Sequence, residues 1–276
     1  MRLWYANTSY KDAEVVVLGC PLDRTSSFLP GARFGPEYIR RASENIESYS
    51  LYQDRDLGLV KVCDLGDIEF SFESPTSPLK RVEEEALRIF KDRKIPIFLG
   101  GEHTITLPII EAAKRIYPSL AVIQLDAHTD MRDEYLKERY CHATVMRRVS
   151  EIIGKENIFQ LGIRSISKEE LDFVAHLYKF RVLEYMEEVK REIGDRWVYL
   201  SIDLDVLDLS LMPAVATPQP GGISYEELRE SLRGLSFLKV IGLDIVEYNP
   251  LVFPQTAYGG VVAGILKEAI LSLKRR

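Results

Sequence analysis

Short apolar runs alternate with longer amphipathic stretches along this chain. Continuous runs at residues 14–19, 59–64, 95–99, 120–125, 158–162, 181–183, 198–202 and 240–245 predict eight strands. They lack an in–out alternation, which means both faces of each strand are covered. Apolar residues at helical spacing over 79–92, 104–116, 168–177 and 224–235 predict helices between them, and 37–42 predicts a short one after a Gly-Pro pair. The alternation predicts an α/β fold with a parallel sheet and helices on both faces. The proline-bearing 71–78 stretch is the most loop-like, but the strands on either side continue one pattern, so residues 1–276 are read as a single domain. Eight strands would also close into a barrel, although helices are short or missing between several of them.

Composition narrows the partners. With 46% hydrophobic and 28% charged residues over 276 positions, the chain is an ordinary soluble globular protein. A net charge of −6, without a Lys/Arg cluster interleaved with aromatics, argues against nucleic acid. It suits a small cationic substrate without establishing one. Three cysteines without CxxC spacing fit a reducing compartment. No apolar stretch reaches the length of a membrane span and residues 1–4 do not begin a signal peptide, so a cytoplasmic protein is expected.

Three of the strands end on chemistry. Gly100-Gly101-Glu102-His103 follows 95–99, Asp126-Ala127-His128-Thr129-Asp130 follows 120–125, and Ser201-Ile202-Asp203-Leu204-Asp205 closes 198–202. Open α/β sheets collect their ligands at such strand ends. Carboxylates with fewer imidazoles and no thiolate suit Mn²⁺ better than a structural zinc. The six candidate ligands His103, Asp126, His128, Asp130, Asp203 and Asp205 are too many for one catalytic metal with an open position and suit two. Their four carboxylates carry about the charge that two divalent ions balance. A water shared by such ions becomes hydroxide near neutral pH. Turn aspartates are the plain alternative for any one motif; three motifs, each after a buried run, outweigh it.

Other residues carry weaker signals. His142, 12 positions past Asp130, is either a proton carrier beside the metals or a structural histidine at a helix N-terminus. His176 reads as a surface or boundary residue of an amphipathic helix, and Cys141, next to His142 in the chain, is no nucleophile partner for it, because sequence neighbours point apart. Glu247 closes the last apolar run. It is either an ordinary loop carboxylate or a bidentate partner for a planar cation. Asp244, inside that run, is a buried-acid candidate for bonding neighbouring loops. Gly31 to Pro36 lacks the spacing of a phosphate loop and reads as a turn into a helix, and Gly221-Gly222 as a turn allowing close backbone approach.

At these residues the chain resembles the arginase and agmatinase family of ureohydrolases over nearly its whole length. The three motifs carry the resemblance, supported by Gly242-Leu243-Asp244-Ile245-Val246-Glu247-Tyr248-Asn249-Pro250 and Gly31-Ala32-Arg33-Phe34-Gly35-Pro36. The resemblance implies a three-layer α/β/α sandwich around an eight-stranded parallel sheet, two Mn²⁺ per subunit, and a trimer or hexamer. It implies hydrolysis of a guanidino group to urea and an amine by a metal-bridging hydroxide. Carried over by position, His103, Asp126, Asp130 and Asp203 would hold one metal, and Asp126, His128, Asp203 and Asp205 the other. Asp126 and Asp203 would bridge, Asp130 would orient the hydroxide, Glu247 would fix the guanidinium, and His142 would carry protons to the leaving amine.

Within the family the sequence is more similar to agmatinases, which make putrescine for polyamine synthesis. Residues 131–143 lack the Ser-Gly-Asn-x-His-Gly stretch with which arginases hold an amino-acid head group. The distal amine of agmatine would then be met by acids such as Asp133 or Glu134. Residues 213–218 depart from the family's glycine-rich loop near the substrate entrance. Arginine, guanidinobutyrate, N1-aminopropylagmatine and formiminoglutamate are the alternative substrates. A single-zinc deacetylase-like enzyme is disfavoured by His103 and the Asp203/Asp205 pair, and a non-catalytic relative by the completeness of the ligand set.

Overall fold

A computed structural model of the chain describes residues 1–70, 74, 76–253 and 257–273. Eight strands form one parallel sheet: β1 (Val15–Cys20), β4 (Val62–Asp67), β5 (Ile95–Gly100), β6 (Leu120–Leu125), β7 (Ile158–Ile163), β8 (His176–Lys179), β9 (Trp197–Asp203) and β10 (Lys239–Val246). Their order is β4-β1-β5-β10-β9-β6-β7-β8, so the sheet is open and the barrel alternative is excluded. A small antiparallel pair, β2 (Tyr49–Ser50) and β3 (Arg55–Asp56), lies apart from it. Every residue of β1, β6 and β7 is buried, which accounts for their unbroken apolar runs.

Two apolar layers cover the sheet. Val16, Leu18, Phe98 and Val122 face a cluster with α2 (Ser77–Lys91), α3 (Thr106–Ile116) and α4 (Val145–Ile153). Val17, Leu99, Ile123 and Leu200 face the opposite cluster with α1 (Gly35–Ser43), α5 (Met186–Ile193), α6 (Tyr225–Leu235) and α7 (Ala257–Leu273). The result is a three-layer α/β/α sandwich. In α2 the buried Pro78, Val82, Ala86 and Ile89 recur every three or four positions, the stripe the sequence displays. No helix among the described residues is long and apolar enough to cross a membrane.

Two expectations need correction. The helix expected over 168–177 is a 3-10 segment, Lys168–Phe173, followed by β8. Ser167 and Glu170 exchange side-chain-to-backbone bonds that start the tight turn, and His176–Tyr178 then pair with Phe159–Leu161. His176 is therefore an edge-strand residue, its ring stacked on Phe159 at 4.3 Å between centroids. The strand expected at 181–183 is not formed; Val182 packs in the core and its N–H donates to Glu227. Of the loop-like 71–78 stretch, positions 71–73 and 75 lie outside the described residues and α2 begins at Ser77.

Candidate metal centre

The four middle strands, β5, β10, β9 and β6, are consecutive in the sheet. Each delivers part of the site from its C-terminal end. His103 follows β5, Glu247 follows β10, Asp203 ends β9, and Asp126, His128 and Asp130 follow β6. Register sets them side by side, because Val246 pairs with Asp203 and Leu125 with Ile202. The six ligands the motifs named are therefore gathered at one edge of the sheet. Asp130 and Glu247 adopt left-handed backbone, φ 53° and 66°, which costs a non-glycine residue of order 1 kcal/mol or more and marks sites where geometry is imposed.

Two donor groups meet here, His103 with Asp126 and Asp203, and Asp126 with His128 and Asp205. His103 Nδ1 lies 3.2 Å from Asp126 Oδ2, 3.0 Å from Asp130 Oδ2 and 3.4 Å from Asp203 Oδ2. His128 Nδ1 lies 2.9 Å from Asp205 Oδ2 and 3.7 Å from the other oxygen of Asp126. Asp126 thus turns one oxygen toward each group, as a bridging carboxylate would. The buried Nδ1 of His103 has no hydrogen-bond partner, although its ring is held firmly. Its Nε2–H donates to Ser201 Oγ at 2.8 Å, and Ser201 donates to Asp244 Oδ1 at 2.7 Å, which leaves the Nδ1 lone pair facing the carboxylates. Asp244 also accepts from Thr106 and Tyr199, so it braces strand and helix side chains rather than loops.

Electrostatics agree with the donor geometry. Desolvation, then the neighbouring Asp126, pushes the Asp130 carboxyl up to about 7. Desolvation, then Asp205 and Asp126, pushes Asp203 well above the usual carboxylate range. Four buried carboxylates in contact exceed what two imidazoles neutralise, and hard divalent cations are the species that fit this donor set.

His103, His128, Asp130 and Asp203 floor a cavity of about 260 Å³ that Glu247, His142, Thr217 and Glu170 also line. Glu247 Oε1 accepts the His103 backbone N–H at 2.7 Å, so one oxygen is engaged before any planar cation arrives. Desolvation, with the nearby Glu102 adding, raises its carboxyl to about 8 despite that bond. His142 opens the 3-10 turn leading into α4 and lines the cavity. Its nitrogens lie 3.5 Å from Thr25 Oγ1 and 3.4 Å from Ser27 Oγ, and burial above all holds it down at about 4.

Several contributors were not visible as site residues in the sequence. Gln124 donates to Asp126 Oδ2 at 2.7 Å, and Gln160 donates to the Thr129 carbonyl at 2.6 Å. Both interrupt buried apolar runs, a signal that could have singled them out. Gln219 reaches His128 Nε2 at 3.3 Å. Arg164 donates to six backbone carbonyls, those of Gly162, Asp205, Val206, Leu207, Gln219 and Pro220, pinning the Asp205 turn to that loop. Glu170, on the cavity wall, accepts from Thr129, Met131 and Ser167. Against desolvation that would raise it, these bonds keep its carboxyl below the usual range. Asp133, expected near a distal amine, instead pairs with Arg148 at 2.6 Å, and neither it nor Glu134 lines the cavity. Within the departing 213–218 loop, Thr217 reaches the cavity and sits 3.5 Å from Asp205.

The arginase family model matches residues 13–271. The agmatinase of Bacillus anthracis is 42% identical, covering 89% of this chain and 87% of its own. The N(1)-aminopropylagmatine ureohydrolase of Thermococcus kodakarensis is 41% identical, covering 90% and 86%. Among solved structures, the agmatine ureohydrolase of Thermoplasma volcanium superposes with a TM-score of 0.90 at 36% identity, covering 98% of this chain and 93% of that one.

Proposed function

The chain belongs to the arginase family, and we propose that within it the protein, read as one domain, is an agmatinase that hydrolyses agmatine to putrescine and urea. The observation that carries this is the convergence of the two donor groups around Asp126, with Glu247 in the same cavity. His103, Asp126, Asp130 and Asp203 would hold one Mn²⁺, and Asp126, His128, Asp203 and Asp205 the second. When bound, the pair supplies Lewis acidity and the acidified water that attacks the guanidine carbon.

The protein's own groups do the rest. The free lone pairs of Glu247 take the guanidinium N–H groups and fix the plane of the substrate beside Asp130, whose carboxylate orients the attacking water. His142, neutral at pH 7, takes up a proton and delivers it to the departing amine. The ionised Glu170 gives the cavity wall a negative field for the distal ammonium. Gln219 lies 3.3 Å from the far nitrogen of His128.

Residues 131–143 lack the Ser-Gly-Asn-x-His-Gly stretch with which arginases hold an α-amino acid head group. Arg132 offers one cation, stacked on Tyr135 at 5.2 Å, and Ser165, Ile166 and Ser167 form the facing wall. The test is urea release from agmatine, arginine, guanidinobutyrate and N1-aminopropylagmatine after loading with Mn²⁺. Agmatine should exceed arginine in kcat/KM by roughly 100-fold or more, because a carboxylate and ammonium left unpaired in a cavity cost several kcal/mol. Comparable constants for the two would overturn the assignment to agmatine and leave guanidine hydrolysis standing. N1-aminopropylagmatine is the second reading, favoured by the 41% identity to an enzyme named for it.

A further inference from the structure

His142 is held by a loop as well as by its own 3-10 turn. Its ring touches the hydroxyls of Thr25 and Ser27, at 3.5 and 3.4 Å, and the edge of Tyr135. His142 N–H also donates to Thr25 Oγ1 at 3.3 Å, so the place of His142 is tied to that of the loop. The chain from Pro21 to Pro30 has no helix or strand to hold it. Near its start it is attached to the first motif, where Gly101 N–H donates to the Cys20 carbonyl at 3.0 Å and Glu102 N–H to the Leu22 carbonyl at 2.6 Å; farther along, Asp23 accepts from Gly31 N–H at 2.8 Å and the Leu29 carbonyl accepts from Asn249 at 2.8 Å. Gly101 allows this approach, since a Cβ there would lie 1.9 Å from the Leu22 carbonyl oxygen.

One side-chain attachment lands on the residue that meets His142. Thr25 N–H donates to Glu102 Oε2 at 2.7 Å. Glu102 is 1% exposed, and its other oxygen has no hydrogen-bond partner. A buried carboxylate with half its bonding capacity unused is costly, so the Thr25 bond is the contact that accounts for an acid here. We propose that Glu102 is a positioning residue: it holds the 21–27 loop over the cavity and so sets the place of His142. This rests on His142 being the proton carrier.

The experiment compares Glu102→Ala, Glu102→Gln, His142→Ala and the Glu102→Ala/His142→Ala double variant by kcat and KM for urea release from agmatine. Bound metal and amide hydrogen exchange over residues 21–28 are measured in parallel. Glu102→Ala should lower kcat by about 10-fold with KM and bound metal unchanged, and in the double variant kcat should equal that of His142→Ala alone. Glu102→Gln should stay within about 3-fold of the parent, because the carboxamide oxygen accepts the same N–H. Exchange in the loop should quicken in the alanine variant and not in the glutamine one.

Multiplying losses in the double variant, equal losses in alanine and glutamine, or unchanged exchange would overturn the proposal. A His142→Ala enzyme at the parent rate would remove the proton-carrier reading and the proposal with it. If Glu102→Ala cannot be purified, Glu102→Met carries the test: it fills a similar volume, accepts no bond from the Thr25 N–H, and should likewise add nothing to His142→Ala.

Discussion

Glu247→Gln tests whether this carboxylate receives the guanidinium. Glu247 is 5% exposed, its backbone N–H is bound to the Gly101 carbonyl at 2.8 Å, and its Oε1 accepts the His103 N–H at 2.7 Å. Glutamine has the same shape and can keep that acceptance through its carboxamide oxygen. Its NH₂ then faces a substrate made of N–H donors. The loss is one charge-assisted hydrogen bond replaced by a donor–donor contact, about 1.5–3 kcal/mol, which corresponds to roughly 10- to 150-fold in kcat/KM. Since every substrate of the panel presents a cationic guanidine-type group, the ratio of agmatine to arginine should not change. Burial costs the native carboxylate solvation, so the variant should unfold at the same temperature or slightly higher. Initial rates of urea release, with bound metal and thermal unfolding measured alongside, decide the matter. A kcat/KM within about 3-fold of the parent, or a loss explained by missing metal, would refute this reading of Glu247.

Other expectations are narrower. Asp203→Ala removes an oxygen 3.4 Å from His103 Nδ1 and should cost bound metal together with activity, read by metal analysis after gel filtration; full activity in a metal-free preparation would exclude metal-assisted hydrolysis. His142→Ala should keep its metal and lose about 10²–10⁴-fold in kcat, and stripped metal would make it a ligand instead. His142 also has a pH signature. Its folded-state value of about 4 lies below the ordinary 6.5, so the unfolded chain binds the proton first and stability falls as pH drops from 6.5 toward 4. His142→Gln should flatten that decline by up to roughly 3 kcal/mol in unfolding measurements across this window, whereas parallel curves for the two proteins would show that burial does not disfavour the charged ring.

The motifs were legible because each ligand string is continuous in sequence and emerges from a buried strand. Local pattern alone placed His103, Asp126 and Asp203 at strand ends, and the parallel sheet brought those ends together. The helix α7 was not legible. Its apolar residues run around most of its surface, since it packs on α1 and α6 as well as the sheet, so no stripe stands out. The β8 strand was misplaced because 168–177 has helical spacing, which the Ser167–Glu170 turn and pairing with β7 override. Thr25, Arg164, Glu170 and Gln219 were illegible as site residues for another reason. Each is an ordinary polar loop residue until the fold sets it against a ligand or the cavity from a distant part of the chain.

That difference separates two demands on the sequence. Holding a metal pair would need donors fixed to a fraction of an ångström, and adjacent strands of one sheet fix these side chains through register, with Ser201 and Asp244 bracing the His103 ring from the strands themselves. Choosing the substrate needs only a wall of suitable shape and charge, and here loops supply it: Arg132 and Tyr135 past the second motif, Ser165 to Ser167 past β7, and Thr217 in the 213–218 stretch. The loop residues can change without disturbing the strand-end ligands, so relatives of similar identity can act on guanidines with different tails. The reaction type is therefore written in the strand-end motifs and the substrate in the loops, and exchanging 131–135 or 213–218 should alter the preferred tail while bound metal stays constant.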